Sequence, residues 1–258
     1  MPEPTALPAA ITSVSRGLGR IASCDLITLV PNRAGFSNFL AYGLGPEGYH
    51  HSAGVFFSAV EAHNRLNLDM SIQESLAQVK AVAKEAASAG VRLVAYVSAA
   101  FGFRETRTGP VLRVEAEEIS HYLDILFDLG ASVVTLSDLQ GVADQDTTRD
   151  FLEECLNFRK GKDMERIGYH PHHVSGSKAI ASSLAAYDVG IRRFDASLGG
   201  TGGCVTGAPG NQPTEGLVRV FEGKGIKTGL KPEEVSALAD FVERELYRKI
   251  ELPPRSAP

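Results

Sequence analysis

The stretch Ser177–Ser197, SKAIASSLAAYDVGIRRFDAS, decides the fold. Through Val189 its small and apolar residues recur at helical spacing. Gly190 then stands where a helix ends, and a run prone to extended structure follows at once. The same order of helix, glycine and strand recurs at Gly90-Val91, after SIQESLAQVKAVAKEAASA (Ser71–Ala89), and at Gly130-Ala131, after VEAEEISHYLDILFDL. Ser71 and Glu74 carry the S-x-x-E spacing of a capping box, which marks a helix start.

Working outward, strands are expected at about Asp25–Val30, Ala53–Ser58, Arg92–Ser98, Ser132–Ser137, Glu165–His172 and Arg192–Ser197. They are continuously apolar rather than alternating, as strands covered on both faces are. Repeated βα units with short joins imply a parallel sheet. Three strands end in residues that would share one mouth: Ser137-Asp138, His170-x-His172 and Ser197-x-Gly199. Such clustering suits a (β/α)8 barrel of the TIM type, where every strand end faces one pocket, better than an open sheet. No G-x-G-x-x-G follows an early strand, which weakens a dinucleotide reading. Six units over residues 25–258 average roughly 39 residues each, so eight would need about 310, against ~250 for typical barrels. The expected fold is therefore α/β, a TIM-type barrel with about six recognisable units. It would form one domain over residues 1–258, with a poorly matched segment at 1–24 and a disordered tail at 252–258.

The 258 residues are 43% hydrophobic and 22% charged, an ordinary globular balance, and a net charge of -5 argues against nucleic acid as a partner. No apolar run reaches the ~18 residues of a membrane span, and residues 1–20 resemble neither a signal nor a transit peptide. Cys24, Cys155 and Cys204 are odd in number and far apart, so no disulfide framework is expected.

GYHPHHVSG (Gly168–Gly176) places three of the seven histidines within four positions. On a strand His170 and His172 share a face and His173 takes the other. Two imidazoles at a strand end are a plausible pair of metal ligands. The alternative for each is a histidine satisfied by ordinary hydrogen bonds. Gly199–Asn211, GGTGGCVTGAPGN, has six glycines in thirteen residues and Cys204 in its middle. A thiol on such a loop can serve as proton donor or nucleophile; the alternative is an incidental thiol on a surface loop. Asn211 is either a carbonyl-oxygen metal ligand or a cap for the helix after it. Asp138 is either a carboxylate in the mouth or a loop cap. Asn32 and Ser98 are weaker strand-end candidates for substrate contact. Arg104 and Arg107 read as solvated, with an acidic cofactor's phosphates as the alternative.

GGTGGCVTGAPGNQPTEGLV (Gly199–Val218) and HPHHVSGSKAIASSLAAYDVGIRRFDASLGG before it resemble the hydroxymethylglutaryl-CoA lyase family of metal-dependent TIM-barrel lyases. LVPNRAGF (Leu29–Phe36) and HNRLNLDMSIQESL (His63–Leu76) resemble that family's third strand and the helix start after its fourth. The resemblance implies that His170, His172 and Asn211 bind Mg²⁺ or Mn²⁺. It gives His170 a catalytic share as well, makes Cys204 the loop cysteine, and makes Asp138 an acid–base residue. The implied reaction is retro-Claisen cleavage of a 3-hydroxyacyl-CoA to acetyl-CoA and acetoacetate, as in leucine degradation and ketone body metabolism. The implied partners are an acyl-CoA and a second copy in a homodimer, with no membrane, in the cytoplasm or alternatively the mitochondrion.

Three departures accompany the likeness. The family's opening strand, with an Arg-Asp pair, has no counterpart, so the first two βα units are expected to be lacking. His173 stands where the family usually has Asp, and Asp138-Leu139 where it has Asp-Thr. A catalytically inactive relative acting as a binding or assembly partner is one competing expectation. A related acyl-CoA condensing synthase is the other, and the cysteine loop counts against it.

Overall fold

Among the described residues strand and helix largely alternate, with two helices in succession after the second strand and after the sixth. A computed structural model describes residues 25–46, 51–106, 108–172, 178–203 and 210–247. Cys24, His173, Cys204 and the segments 1–24 and 252–258 lie outside them. The strands are β1 (Ile27–Leu29), β2 (Ser52–Ser58), β3 (Leu93–Ser98), β4 (Ala131–Asp138), β5 (Ile167–Pro171) and β6 (Arg193–Phe194). Their order in the sheet is their order in the chain. Pairing is parallel, with Thr28 beside Ala53 in β1–β2 and Tyr169 beside Phe194 in β5–β6. The α/β class with sequential parallel strands is the expected one. β2 and β4 are buried along nearly their whole length, as strands covered on both faces must be.

The helices are α1 (Arg33–Ala41), α2 (Glu61–Leu68), α3 (Ile72–Ser88), α4 (Ala116–Asp128), α5 (Gln145–Phe158), α6 (Lys178–Val189), α7 (Thr214–Gly223) and α8 (Pro232–Val242). At the start of α3, Ser71 accepts from the Glu74 N–H while Glu74 accepts from the Ser71 N–H, the full capping box. At the three repeated joins Gly90, Gly130 and Gly190 have φ of 65°, 91° and 118°, the left-handed region that favours glycine. At Gly190 a Cβ would also fall 2.5 Å from the Met164 sulfur, so that flexible side chain would have to shift.

Two elements differ from expectation. The run from Glu165 starts with a 3-10 turn at Met164–Arg166, and the strand proper begins at Ile167. β6 is two residues long, Ser197 bridges to Pro213 instead, and a 3-10 turn follows at Leu198–Gly200, with Gly199 at φ 63°.

The residues divide into two compact units. The first comprises the described parts of Met1–Val97 with His121–Val134. Its core stacks Phe36 on Phe39 at 5.7 Å and sets Phe57 edge-on to Tyr122 at 5.1 Å. Val79, Val82, Ala83 and Ala86 give α3 its buried face. The second comprises the described parts of Ser98–Ser120 with Thr135–Pro258. There Phe101 packs against Phe151 at 4.8 Å and Tyr169 at 5.4 Å, beside fully buried Leu152 and Ile167. Among the described residues no helix is long and apolar enough to cross a membrane.

Candidate functional site

The second unit gathers the ends of β4, β5 and β6 and the segment 210–213. Backbone hydrogen bonds join them. The His172 N–H donates to the Asp138 carbonyl at 2.9 Å, and the Asp195 N–H to the Tyr169 carbonyl at 3.0 Å. The Gln212 N–H donates to the Pro171 carbonyl at 3.3 Å, and the Ser197 N–H to the Gln212 carbonyl at 2.9 Å. His172 and Asn211 face one another in an antiparallel bridge.

Strand alternation puts His170 and His172 on one face, and their ring centroids lie 5.1 Å apart. His172 is buried, while His170 is half-buried with its Nδ1 3.2 Å from Asp195 Oδ2. The Asn211 side chain donates from Nδ2 to the Thr201 carbonyl at 2.8 Å. Its Oδ1 is buried and accepts no hydrogen bond from the described residues. A buried amide oxygen left without a donor costs about 1–3 kcal/mol, so its position calls for a partner.

Glycine brings the backbone close to Asn211. A Cβ on Gly202, at φ 88°, would lie 2.8 Å from Asn211 Nδ2, and one on Gly200 would lie 2.9 Å from the Asn211 carbonyl oxygen. Gly200 and Gly202 therefore let this turn fold onto the asparagine, a structural use beyond loop freedom.

Asp138 ends β4 almost wholly buried. Its Oδ1 accepts from the Val142 N–H at 2.9 Å and its Oδ2 from the Ala143 N–H at 3.0 Å. Burial raises its carboxyl above the usual range, and the backbone amides of the following turn oppose that. Asp138, Tyr169, His172, Lys178 and Ser182 line a cavity of about 10 Å³, room for roughly one water. Ser98 closes β3 half-buried, and Ala99 after it is held at φ 51°. Asn32 lies in the first unit and caps α1, its Oδ1 accepting from the Gly35 N–H at 2.9 Å.

Two imidazoles and an unsatisfied amide oxygen are donors that a divalent cation accepts. His170, His172 and Asn211 thus fit such an ion as a partial ligand set. Among the described residues no three of His, Cys, Asp and Glu form a metal cluster. The geometry also adds Asp195, which sequence reading left aside. Its only signal was its position two residues after Arg193, at the end of a strand running beside β5.

The chain matches the family model described as HMGL-like over residues 48–242. It is 34% identical over 239 residues to the hydroxymethylglutaryl-CoA lyase YngG of Bacillus subtilis, covering 92% of this chain and 75% of that one. The human mitochondrial hydroxymethylglutaryl-CoA lyase is 29% identical over 240 residues, covering 92% and 69%. The solved HMG-CoA lyase of B. subtilis superposes with a TM-score of 0.78 at 33% identity, covering 95% of this chain and 77% of that one. An HMG-CoA lyase from Acinetobacter baumannii, solved with coenzyme A and 3-methylmalate, gives a TM-score of 0.78 at 25% identity, covering 99% and 82%. By the span of the family model and the identity to its relatives, this chain belongs to the HMGL-like family.

Proposed function

We propose that the chain is a metal-dependent carbon–carbon lyase of the hydroxymethylglutaryl-CoA lyase type. It would cleave a 3-hydroxyacyl-CoA to acetyl-CoA and acetoacetate. The observation that carries this reading is the buried Asn211 Oδ1, without a partner among the described residues, beside the His170–His172 pair. The names of its relatives support it.

In this reading His170 and His172 hold Mg²⁺ or Mn²⁺ through ring nitrogens and Asn211 through Oδ1. Bound there, the ion supplies Lewis-acid polarisation of the substrate hydroxyl and of a neighbouring carbonyl or carboxylate oxygen. Asp138 takes the hydroxyl proton, and its burial shifts the carboxyl in the direction a base at neutral pH needs. As the hydroxyl carbon becomes a carbonyl, the carbon–carbon bond pair passes to the acetyl-CoA enolate. Cys204 returns a proton to that carbon. Ser98 and Asn32 are assigned to substrate contact, Asn32 in addition to capping α1. An acyl-CoA is the small-molecule partner, and a homodimer the assembly.

One observation favours a second reading, a catalytically silent relative that serves as a binding partner. Among the described residues no carboxylate joins the two imidazoles in a metal cluster, and Mg²⁺ prefers carboxylate oxygens. Incubating purified protein with Mg²⁺ or Mn²⁺ and hydroxymethylglutaryl-CoA decides between the two. Acetoacetate release that Cys204→Ser and His172→Ala abolish is the expected result. Release from neither metal form leaves the second reading.

A further inference from the structure

We infer that Asp195 is a positioning residue, one that fixes the ring of His170 with Nδ1 protonated and Nε2 free to face the site. The inference rests on the proposed metal-binding role of His170 only for its functional consequence. The ring state itself follows from the contact.

Asp195 Oδ2 lies 3.2 Å from His170 Nδ1. A carboxylate has only acceptors to offer, so the imidazole nitrogen facing it carries the proton. Neutral imidazole has one N–H, which leaves the lone pair on Nε2. The contact is held from both sides. His170 is in β5, and Asp195 directly follows β6, its N–H on the Tyr169 carbonyl at 3.0 Å. The backbone of each partner is thus set by the β5–β6 register, and an exposed long side chain is not needed to close the gap. Asp195 does not join the donor set itself, since His170, His172 and Asp195 do not form a metal cluster. Its carboxylate sits on the Nδ1 side of the ring.

The arrangement gives a histidine ligand its usual outer partner. Such a carboxylate holds the ring orientation and raises the basicity of the other nitrogen, and its loss costs ~10–100-fold in metal affinity. It also bears on the short donor set: with two imidazoles and an amide, ring orientation carries more of the binding than where a carboxylate ligand is present.

Nitrogen-15 spectra of the histidine rings in the metal-free full-length protein test the inference directly, with His170→Gln to assign the signals. Wild type should show His170 as the Nδ1–H form, and Asp195→Ala should show a mixture of the two neutral forms. Asp195→Glu, which keeps the acceptor, should recover part of the Nδ1–H population. An unchanged His170 spectrum in Asp195→Ala overturns the inference. Mn²⁺ titration by calorimetry supplies the second readout. Asp195→Ala should bind ~10–100-fold more weakly than wild type, and affinity equal to wild type overturns the functional role. If wild type takes up no Mn²⁺ while the ring spectra behave as expected, the metal reading fails and the positioning contact stands.

Discussion

Asn211 meets His172 across an antiparallel bridge with its side-chain Oδ1 buried and unbonded among the described residues, while its Nδ2 is spent on the Thr201 carbonyl. An amide with one end anchored and the other empty is oriented for a ligand. A ligand that binds only the folded chain at 100 times its Kd adds ~2.7 kcal/mol of stability. Thermal melts with and without excess Mn²⁺ should show a clear rise for wild type. Asn211→Ala should lose most of that rise. A variant that gains as much as wild type would remove Asn211 from the ligand set.

Gly202 stands against the same amide. Its φ of 88° strains any side chain, and the added carbon of Gly202→Ala would fall 2.8 Å from Asn211 Nδ2. The left-handed backbone alone costs roughly 1–2 kcal/mol. The variant should therefore be less stable by at least that amount and weaker for Mn²⁺, although it touches no proposed ligand atom directly. Urea unfolding with Mn²⁺ titration checks both, and a stable variant with full affinity would show that the turn has room to yield.

The six strands were legible because parallel strands covered on both faces leave apolar runs, as in Ala131–Asp138, and because the glycine joins mark each αβ boundary. β6 was read too long because Arg192–Ser197 looks like one strand in composition. Beyond Phe194 the chain leaves β5 at Ser197, which bonds to Gln212 and bridges Pro213, partners that the local sequence does not contain. α5 was not anticipated, although Asp144 caps it in the ordinary way, its side chain accepting from the Thr147 N–H. The pairing of His170 with His172 follows from strand alternation. The contact of His170 with Asp195 is a register relation between strands 25 residues apart, and one-dimensional spacing does not encode it. The role of Asp138 is divided in the same way: sequence placed it at the mouth, and only the fold shows both oxygens on backbone amides.

That division makes Asp138→Asn informative. One of the two backbone amides now bonded to the carboxylate would face an NH2 group instead, leaving a buried donor unpaired at about 1–3 kcal/mol. Urea unfolding of the variant should show a loss of that size. Hydroxymethylglutaryl-CoA cleavage should fall as well, and an active variant of reduced stability would confine Asp138 to shaping the turn.

His63 supplies the pH prediction. It is fully buried in α2, and burial lowers its pKa from 6.5 to about 4. Between those values the unfolded chain binds a proton that the folded chain does not, so stability falls as pH drops from about 6.5 to about 4. The full loss is about 3 kcal/mol. His51, also lowered by burial, acts in the same direction. Glu74, Asp144 and Glu222 have lowered carboxyl values, so their contributions persist until the pH falls below the ordinary carboxylate range. Asp138, raised by burial, acts in the opposite direction. The His63 share is therefore read as a difference. Melts of wild type and His63→Gln between pH 7 and 5 should show a steeper decline for wild type, whatever the absolute stability of the variant. Parallel curves would mean that His63 keeps its proton when the chain is folded.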